Sequence, residues 1–266
     1  ESRGVSREFL GHLGTVTVDA LDRHTEGSAL VFVPGAREVD HVVADLRSRL
    51  AGIDVVGLSG AMSAREQDHA LSDPGNVRRV IVSTAVAESS LTVPGVRLVV
   101  DSGLSREPRL DRGRGMTGLV TVRESRASAV QRAGRAARLG PGVAVRCLRA
   151  QDWAGMNADP TPEVDHADLV ASLLSLAVWG SPRGEGMALP TPLPQDRVAA
   201  AEEELRDLGA VDAEGRITAR GRHLATFPLD PRLARALTDG AAIIGSRRCA
   251  EIAAMLGLED GQVDLV

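Results

Sequence analysis

The sequence predicts an α/β protein, a mostly parallel sheet with helices on both faces, followed by a mainly helical region. Three observations predict it. From Ser28 to about Leu148, short β-branched apolar runs alternate with amphipathic helical stretches, which is how parallel strands joined by crossover helices read. After Ala150 a polar, proline-bearing stretch gives way to helical patterns. The composition, 43% hydrophobic and 25% charged over 266 residues, suits one large or two smaller globular domains. With 2% aromatic residues and no Tyr, the core must be mostly Val, Leu, Ile and Ala.

The elements follow in order. Residues 1–8 are polar and expected to fray. In the stretch 9–24, Thr15, Val16, Thr17 and Val18 favour a strand by β-branching, whereas Phe9, Leu13, Val16, Ala20 and Leu21 recur at helical spacing. Ala29–Val33 reads as a strand, Ala36–Leu50 as an amphipathic helix and Ile53–Leu58 as a second strand. Ser63 with Glu66 forms a capping box that opens a helix to about Leu71, stopped by Asp73-Pro74-Gly75. Arg79–Ser83, Arg97–Asp101 and Leu119–Arg123 read as further buried strands, a helix carries residues 126–138, and Val143–Leu148 is the next strand. Gly113, Gly115 and Gly118 fit a G-x-G-x-x-G pattern, but they follow an Arg/Asp-rich loop and precede a strand, so a turn or hairpin tip is expected instead of a dinucleotide site. Gln151–Pro162 reads as a linker. Helical patterns then cover about 164–178, 194–208 and 218–226, with a short hairpin turning at Glu214-Gly215 between the last two, which suggests a winged-helix module. Glu202, Glu203 and Glu204 read as a solvated helix face. After Pro228-Leu229-Asp230-Pro231, helices are expected near 232–244 and 247–256.

The chemistry concentrates at Gln131-Arg132-Ala133-Gly134-Arg135-Ala136-Ala137-Arg138. On an α-helix Gln131, Arg135 and Arg138 share one side. Guanidiniums stay charged and offer paired donors that match phosphate oxygens, so this face suits a polyphosphate. A solvated arginine face is the competing reading. Net charge is −5, yet residues 97–149 hold twelve Arg against four acidic residues, a local +8. No lysine is present, so the lysine that a phosphate-binding P-loop requires is missing. Cys147 and Cys249 match no metal or redox spacing, and the six histidines are scattered, so no metal site is expected. No apolar run approaches the roughly 20 residues of a membrane span, and no signal-peptide pattern opens the sequence. A cytoplasmic protein with no membrane partner is expected.

Ser83–Val96, Arg97–Gly103 and Ser125 running into the arginine stretch resemble motifs V and VI of the DEAH-type superfamily 2 helicases. Leu30–Val39 resembles motif IV, and Leu58–Ser63 with Glu66-Gln67 resembles the segment after it. Phe32-Val33-Pro34-Gly35, Asp101-Ser102-Gly103-Leu104 and Arg138-Leu139-Gly140-Pro141-Gly142 are most similar to a bacterial branch of that family. The resemblance implies a second RecA-like domain over 1–150, a winged-helix domain over 151–227 and the start of a helical-bundle domain over 228–266. It also tips the stretch 9–24 toward helix.

As roles, it implies Gln131 orienting the attacking water or γ-phosphate, with Arg135 and Arg138 as arginine fingers. Ser90, Thr92 and Leu71 lie toward the nucleotide, and Thr84, Gly35 and Arg37 contact the nucleic-acid backbone. ATP with Mg2+ would be held mainly by a first RecA-like domain that these 266 residues do not contain, so the fragment alone is not expected to hydrolyse ATP. RNA or a single-stranded nucleic acid would be the track, and a monomer is expected. Ala85 replaces a usual Asn, Pro94 a frequent Asp, and Leu71 a stacking aromatic of eukaryotic relatives. The alternative function is a non-catalytic nucleic-acid-binding or adaptor protein with a helicase-like fold.

Overall fold

In the structure, a computed structural model, the described residues are 5–257 except 74, 76, 89–92, 112–115 and 139. Five parallel strands make the central sheet: β1 (Ser28–Phe32), β2 (Asp54–Leu58), β3 (Arg79–Ser83), β4 (Val96–Asp101) and, after two intervening strands of the chain, β7 (Val143–Arg146). Their order is β2-β3-β1-β4-β7, with all four pairings parallel. The order reverses at β1, and in such sheets ligands gather at the carboxyl ends of the strands around that point.

The two-residue period of the strands divides the core. Ala29, Val31, Val55, Val80, Val82, Leu98 and Val100 face one cluster, which is closed by helices α1 (Arg7–Arg23) and α2 (Ala36–Arg49). Leu30, Phe32, Val56, Leu58, Ile81 and Val99 face the other, closed by Ala70 of α3 (Ala64–Leu71), Ala87 and Ala136. Helix α1 settles the ambiguous stretch in favour of helix. Its threonine hydroxyls donate back along the helix, Thr17 to the Leu13 carbonyl at 2.8 Å and Thr15 to that of Gly11 at 3.1 Å. The expected capping box opens α3: Ser63 Oγ accepts from Glu66 N–H at 3.4 Å and Glu66 Oε2 accepts from Ser63 N–H at 2.9 Å.

Two expectations are corrected. Residues 119–123 belong to β6 (Met116–Arg123), which pairs with β5 (Leu104–Asp111) in a separate two-stranded sheet instead of joining the buried one. Leu119 and Val120 are 53% and 43% exposed. Of the G-x-G-x-x-G glycines, Gly113 and Gly115 lie outside the described residues and Gly118 falls within β6. Nor is 151–162 a bare linker. After α4 (Arg126–Ala133), helix α5 (Ala150–Ala154) leads into a segment whose Asn157 and Ala158 carbonyls accept from Arg126 N–H and Ala127 N–H, both at 2.9 Å. The segment thus satisfies donors at the start of α4 that the helix cannot.

Contacts divide the chain into two compact units, Glu1–Pro108 with Gly118–Thr161, and Arg109–Thr117 with Pro162–Val266. The second unit contains α6 (Val170–Trp179), α7 (Gln195–Asp207), α8 (Ala219–Leu224), α9 (Pro231–Ile244) and α10 (Ser246–Gly257). Its own core holds Leu173, Leu174, Val198, Ala201, Leu205, Leu224 and Ala234. The expected hairpin is present as an antiparallel bridge between Val211 and Ile217, turned through Gly215 at φ 79°. The acidic run on α7 is not simply solvated. Glu202 is buried and accepts from Arg183 at 2.7 Å, and a Cβ on Gly215 would lie 2.3 Å from Glu202 Oε1. Glu204 pairs with Arg232, which also holds Asp168 at 2.6 Å and Asp230 at 3.1 Å. Among the described residues no helix is long and apolar enough to cross a membrane.

Candidate nucleotide and nucleic-acid site

Ladder bonds run one residue past the strands and set their carboxyl ends. Val33 N–H donates to Ser83 O at 2.9 Å, Thr84 N–H to Leu58 O at 3.2 Å, and Ser102 N–H to Phe32 O at 3.2 Å. Thr84 therefore stands at the end of β3, half-buried and extended, and it opens a 3₁₀ turn over Ala85–Ala87. Gly35 is buried after β1 and begins α2. A Cβ there would meet Arg106 Cζ at 2.5 Å and Glu38 Oε2 at 2.6 Å, because Arg106 Nη2 donates to both Glu38 oxygens, at 3.1 and 3.2 Å, over that spot. Arg37 is exposed on the first turn of α2. Leu71 ends α3 with its side chain partly buried against the cluster of Leu30, Phe32 and Ile81. Ser90 and Thr92 lie outside the described residues.

The arginine stretch departs from the expected continuous α-helix. Helix α4 is capped by Ser125, whose Oγ accepts from Ser128 N–H at 3.0 Å, and runs only to Ala133; Gly134–Ala137 is a 3₁₀ turn. The tightening goes with two packing contacts. Ala136 is 2% exposed in the cluster under the sheet, and a Cβ on Gly142 would lie 2.1 Å from the Ala136 carbonyl oxygen. Arg135 lies in this turn and Arg138, three residues on, caps it. The Arg135 guanidinium is held below the ordinary arginine range, by burial first and then by the neighbouring Arg138 charge. Arg138 and Gln131 are exposed, whereas Arg135 is 8% exposed and donates through Nη2 to the Glu88 carbonyl. The structure thus brings Arg135 and Arg138 together, with Gln131 on the preceding α-helical turn.

Sequence reasoning assigned nothing to Arg132, which is the most enclosed charge at this end of the sheet. It is 1% exposed. Its Nε donates to Glu88 Oε2 at 3.0 Å, while Nη1 lies 3.0 Å from Asp101 Oδ1, 2.7 Å from Glu124 Oε2 and 3.0 Å from the Leu104 carbonyl. Its guanidinium carbon stands 5.0 Å from the Phe32 ring centroid. Three carboxylates around one cation leave excess negative charge out of water, and the Glu124 carboxyl is pushed up to about 8 by burial and by Asp101, against the pull of Arg132. The signal in the sequence was Asp101 itself, a carboxylate ending the buried run Val96–Val100, which requires a cation. Among the described residues no group of three or more His, Cys, Asp or Glu side chains is arranged to hold a metal ion.

Comparison with known proteins identifies the architecture. Residues 13–140 match the helicase conserved C-terminal domain and residues 201–229 the helicase associated domain (HA2), winged-helix. The chain is 38% identical over 237 residues to the ATP-dependent RNA helicase HrpB of Escherichia coli, covering 88% of the chain and 29% of that protein. It is 32% identical over 241 residues to the pre-mRNA-splicing factor ATP-dependent RNA helicase prp22 of Schizosaccharomyces pombe, covering 87% of the chain and 21% of that protein. The crystal structure of the Escherichia coli DEAH/RHA helicase HrpB superposes with a TM-score of 0.88 at 33% identity, over 99% of this chain and 35% of that one. The chain therefore spans about a third or less of the length of these relatives. The two matched domains, the shared fold and the shared sequence place the chain with the DEAH-type superfamily 2 helicases, as a segment resembling HrpB.

Proposed function

We propose that the chain is the C-terminal motor part of an ATP-dependent RNA helicase. ATP and its Mg2+ are held mainly by a first RecA-like domain, and this part completes the site when the two domains close. The placement of Arg135 and Arg138 carries the reading: the two guanidiniums lie close enough for the charge of Arg138 to act on Arg135, and paired guanidinium donors match the oxygens of a triphosphate. In this reading the pair stabilises charge developing on the γ-phosphoryl group, and Gln131 orients the attacking water. In the same reading Ser90, Thr92 and Leu71 serve the nucleotide. Thr84, Gly35 and Arg37 hold the RNA backbone, a set of contacts that carries no base information. Gly35 would act through its backbone, since its Cβ position is already filled by Arg106 and Glu38.

The chain by itself is inactive as an ATPase, works as a monomer in the cytoplasm, and tracks on RNA or another single-stranded nucleic acid; the names of the RNA-helicase relatives support RNA. The test is RNA-stimulated ATP turnover by a protein carrying this chain together with its first RecA-like domain. Arg138→Ala is expected to lower kcat by about 10³. Unchanged turnover in Arg138→Ala removes the finger assignment.

A further inference from the structure

The finger reading leaves open what aims Arg135, and the structure offers a specific device. Glu88 is held by two arginines, Arg132 of α4 and Arg135 of the 3₁₀ turn. Its carboxylate accepts from Arg132 Nε at 3.0 Å, and its backbone carbonyl accepts from Arg135 Nη2. Glu88 is also the residue that closes the 3₁₀ turn begun by Thr84, its N–H donating to Ala85 O at 2.9 Å. Arg132 in turn is fixed to β4 by Asp101 and to Glu124, directly after β6.

We propose that Arg132 and Glu88 are positioning residues: the Glu88 carboxylate, clamped by Arg132, sets where the Glu88 carbonyl holds Arg135, and so ties the aim of Arg135 to the placement of Thr84. This rests on the proposed roles of Arg135 at the triphosphate and of Thr84 on RNA. A shift of the Thr84 turn on binding RNA then moves the Glu88 carbonyl, and with it the guanidinium. By reciprocity, a nucleotide that draws on Arg135 changes the affinity for RNA by the same factor.

Substituting the side chain of Glu88 keeps the carbonyl in the chain but releases it from the Arg132 clamp, and Glu88→Gln keeps the size of the side chain while removing its charge. The measurement is the Kd of a single-stranded oligouridylate RNA with and without a non-hydrolysable ATP analogue, on the protein with its first RecA-like domain present. In the parent protein the two values are expected to differ by roughly 5- to 150-fold, the range of ordinary coupling between sites. Glu88→Gln and Glu88→Ala are expected to bring that ratio toward one, with Kd for RNA alone changed by less than about threefold and the melting temperature of Glu88→Gln kept. A merely structural role for Glu88 would weaken both Kd values together and leave their ratio intact. A parent ratio of one, or a ratio unchanged in Glu88→Gln, overturns the proposal. Arg135→Ala separates this from failure of the reading beneath it. If Arg135→Ala abolishes turnover while Glu88→Gln keeps the ratio, only the positioning role is lost; if Arg135→Ala leaves turnover intact, the finger reading falls with it.

Discussion

Glu124 directly follows β6 with 3% of its surface exposed, close to two other carboxylates and one guanidinium. In the unfolded chain a glutamate titrates near about 4.3. Folding raises this one to about 8. The stability it contributes is fully present below about pH 4.3 and is lost as the pH rises through about 8, because over that window the folded state holds a proton that the unfolded state has released. Glu124→Gln removes the titration and keeps the shape, and its amide can donate to Asp101 Oδ2, a buried oxygen without a hydrogen-bond partner among the described residues. The variant should therefore show a flatter dependence of melting temperature on pH between 5 and 8. At pH 8 it should be the more stable protein by about 1 kcal/mol or more, near 2–4 °C in Tm. Parallel pH profiles would show that Glu124 is already ionised in the fold. Arg132 explains why this cluster was hard to see in the sequence. Its type reads the same as that of its exposed neighbours, and Glu88 and Asp101 lie 44 and 31 residues away.

Among the elements, the five strands of the main sheet and the helices beside them were legible because burial imposes a period, and the capping box at Ser63 was legible because it is local. The hairpin of β5 and β6 was only half legible. Ser105, Arg106, Glu107 and Pro108 carry no apolar alternation, so the partner of Leu119–Arg123 looked like loop. The tightening at Gly134 was hidden for a different reason. Ala133, Ala136 and Ala137 are strong helix formers, and local propensity lost to packing of Ala136 under the sheet and of Gly142 against its carbonyl. Gln131, Arg135 and Arg138 were found from residue type and order, but their geometry had to come from that turn. Gly142→Ala should force the start of β7 away from the arginine turn, since a backbone oxygen 2.1 Å from the new Cβ has little freedom to move. A loss of about 1–3 kcal/mol in a denaturant titration is expected. A Gly142→Ala protein of parent stability would show that β7 shifts freely there.

For the whole molecule the use of arginine is decisive. With no lysine among 31 basic residues, scaffold and site draw on the same side chain. Arg47 donates to Val55 O at 2.8 and 3.0 Å, Arg78 to the carbonyls of Leu21, His24 and Gly27, and Arg79 to Asp54 at 2.7 Å and to the His69 and Ser72 carbonyls. A planar fork suits such fixed carbonyls better than a mobile ammonium. In the proposed reading RNA is held through its backbone phosphates, a salt-sensitive contact. Log Kd for single-stranded RNA should rise linearly with log salt, and Arg37→Ala should lower the slope by about 0.7, one phosphate contact. An unchanged slope would remove Arg37 from the track. The two thiols bear on how such motions can be watched. Cys147 is pushed up to about 11 by burial and by Asp101, and Cys249 is buried with its Sγ 3.5 Å from the Ala236 and Leu237 carbonyls. Cys147 thus stays a thiol at neutral pH, and Cys249 is closed off from reagents by burial. A single reporter cysteine placed at exposed Arg37 should therefore take a maleimide dye selectively, opening the protein to fluorescence distance measurements with both native cysteines left in place.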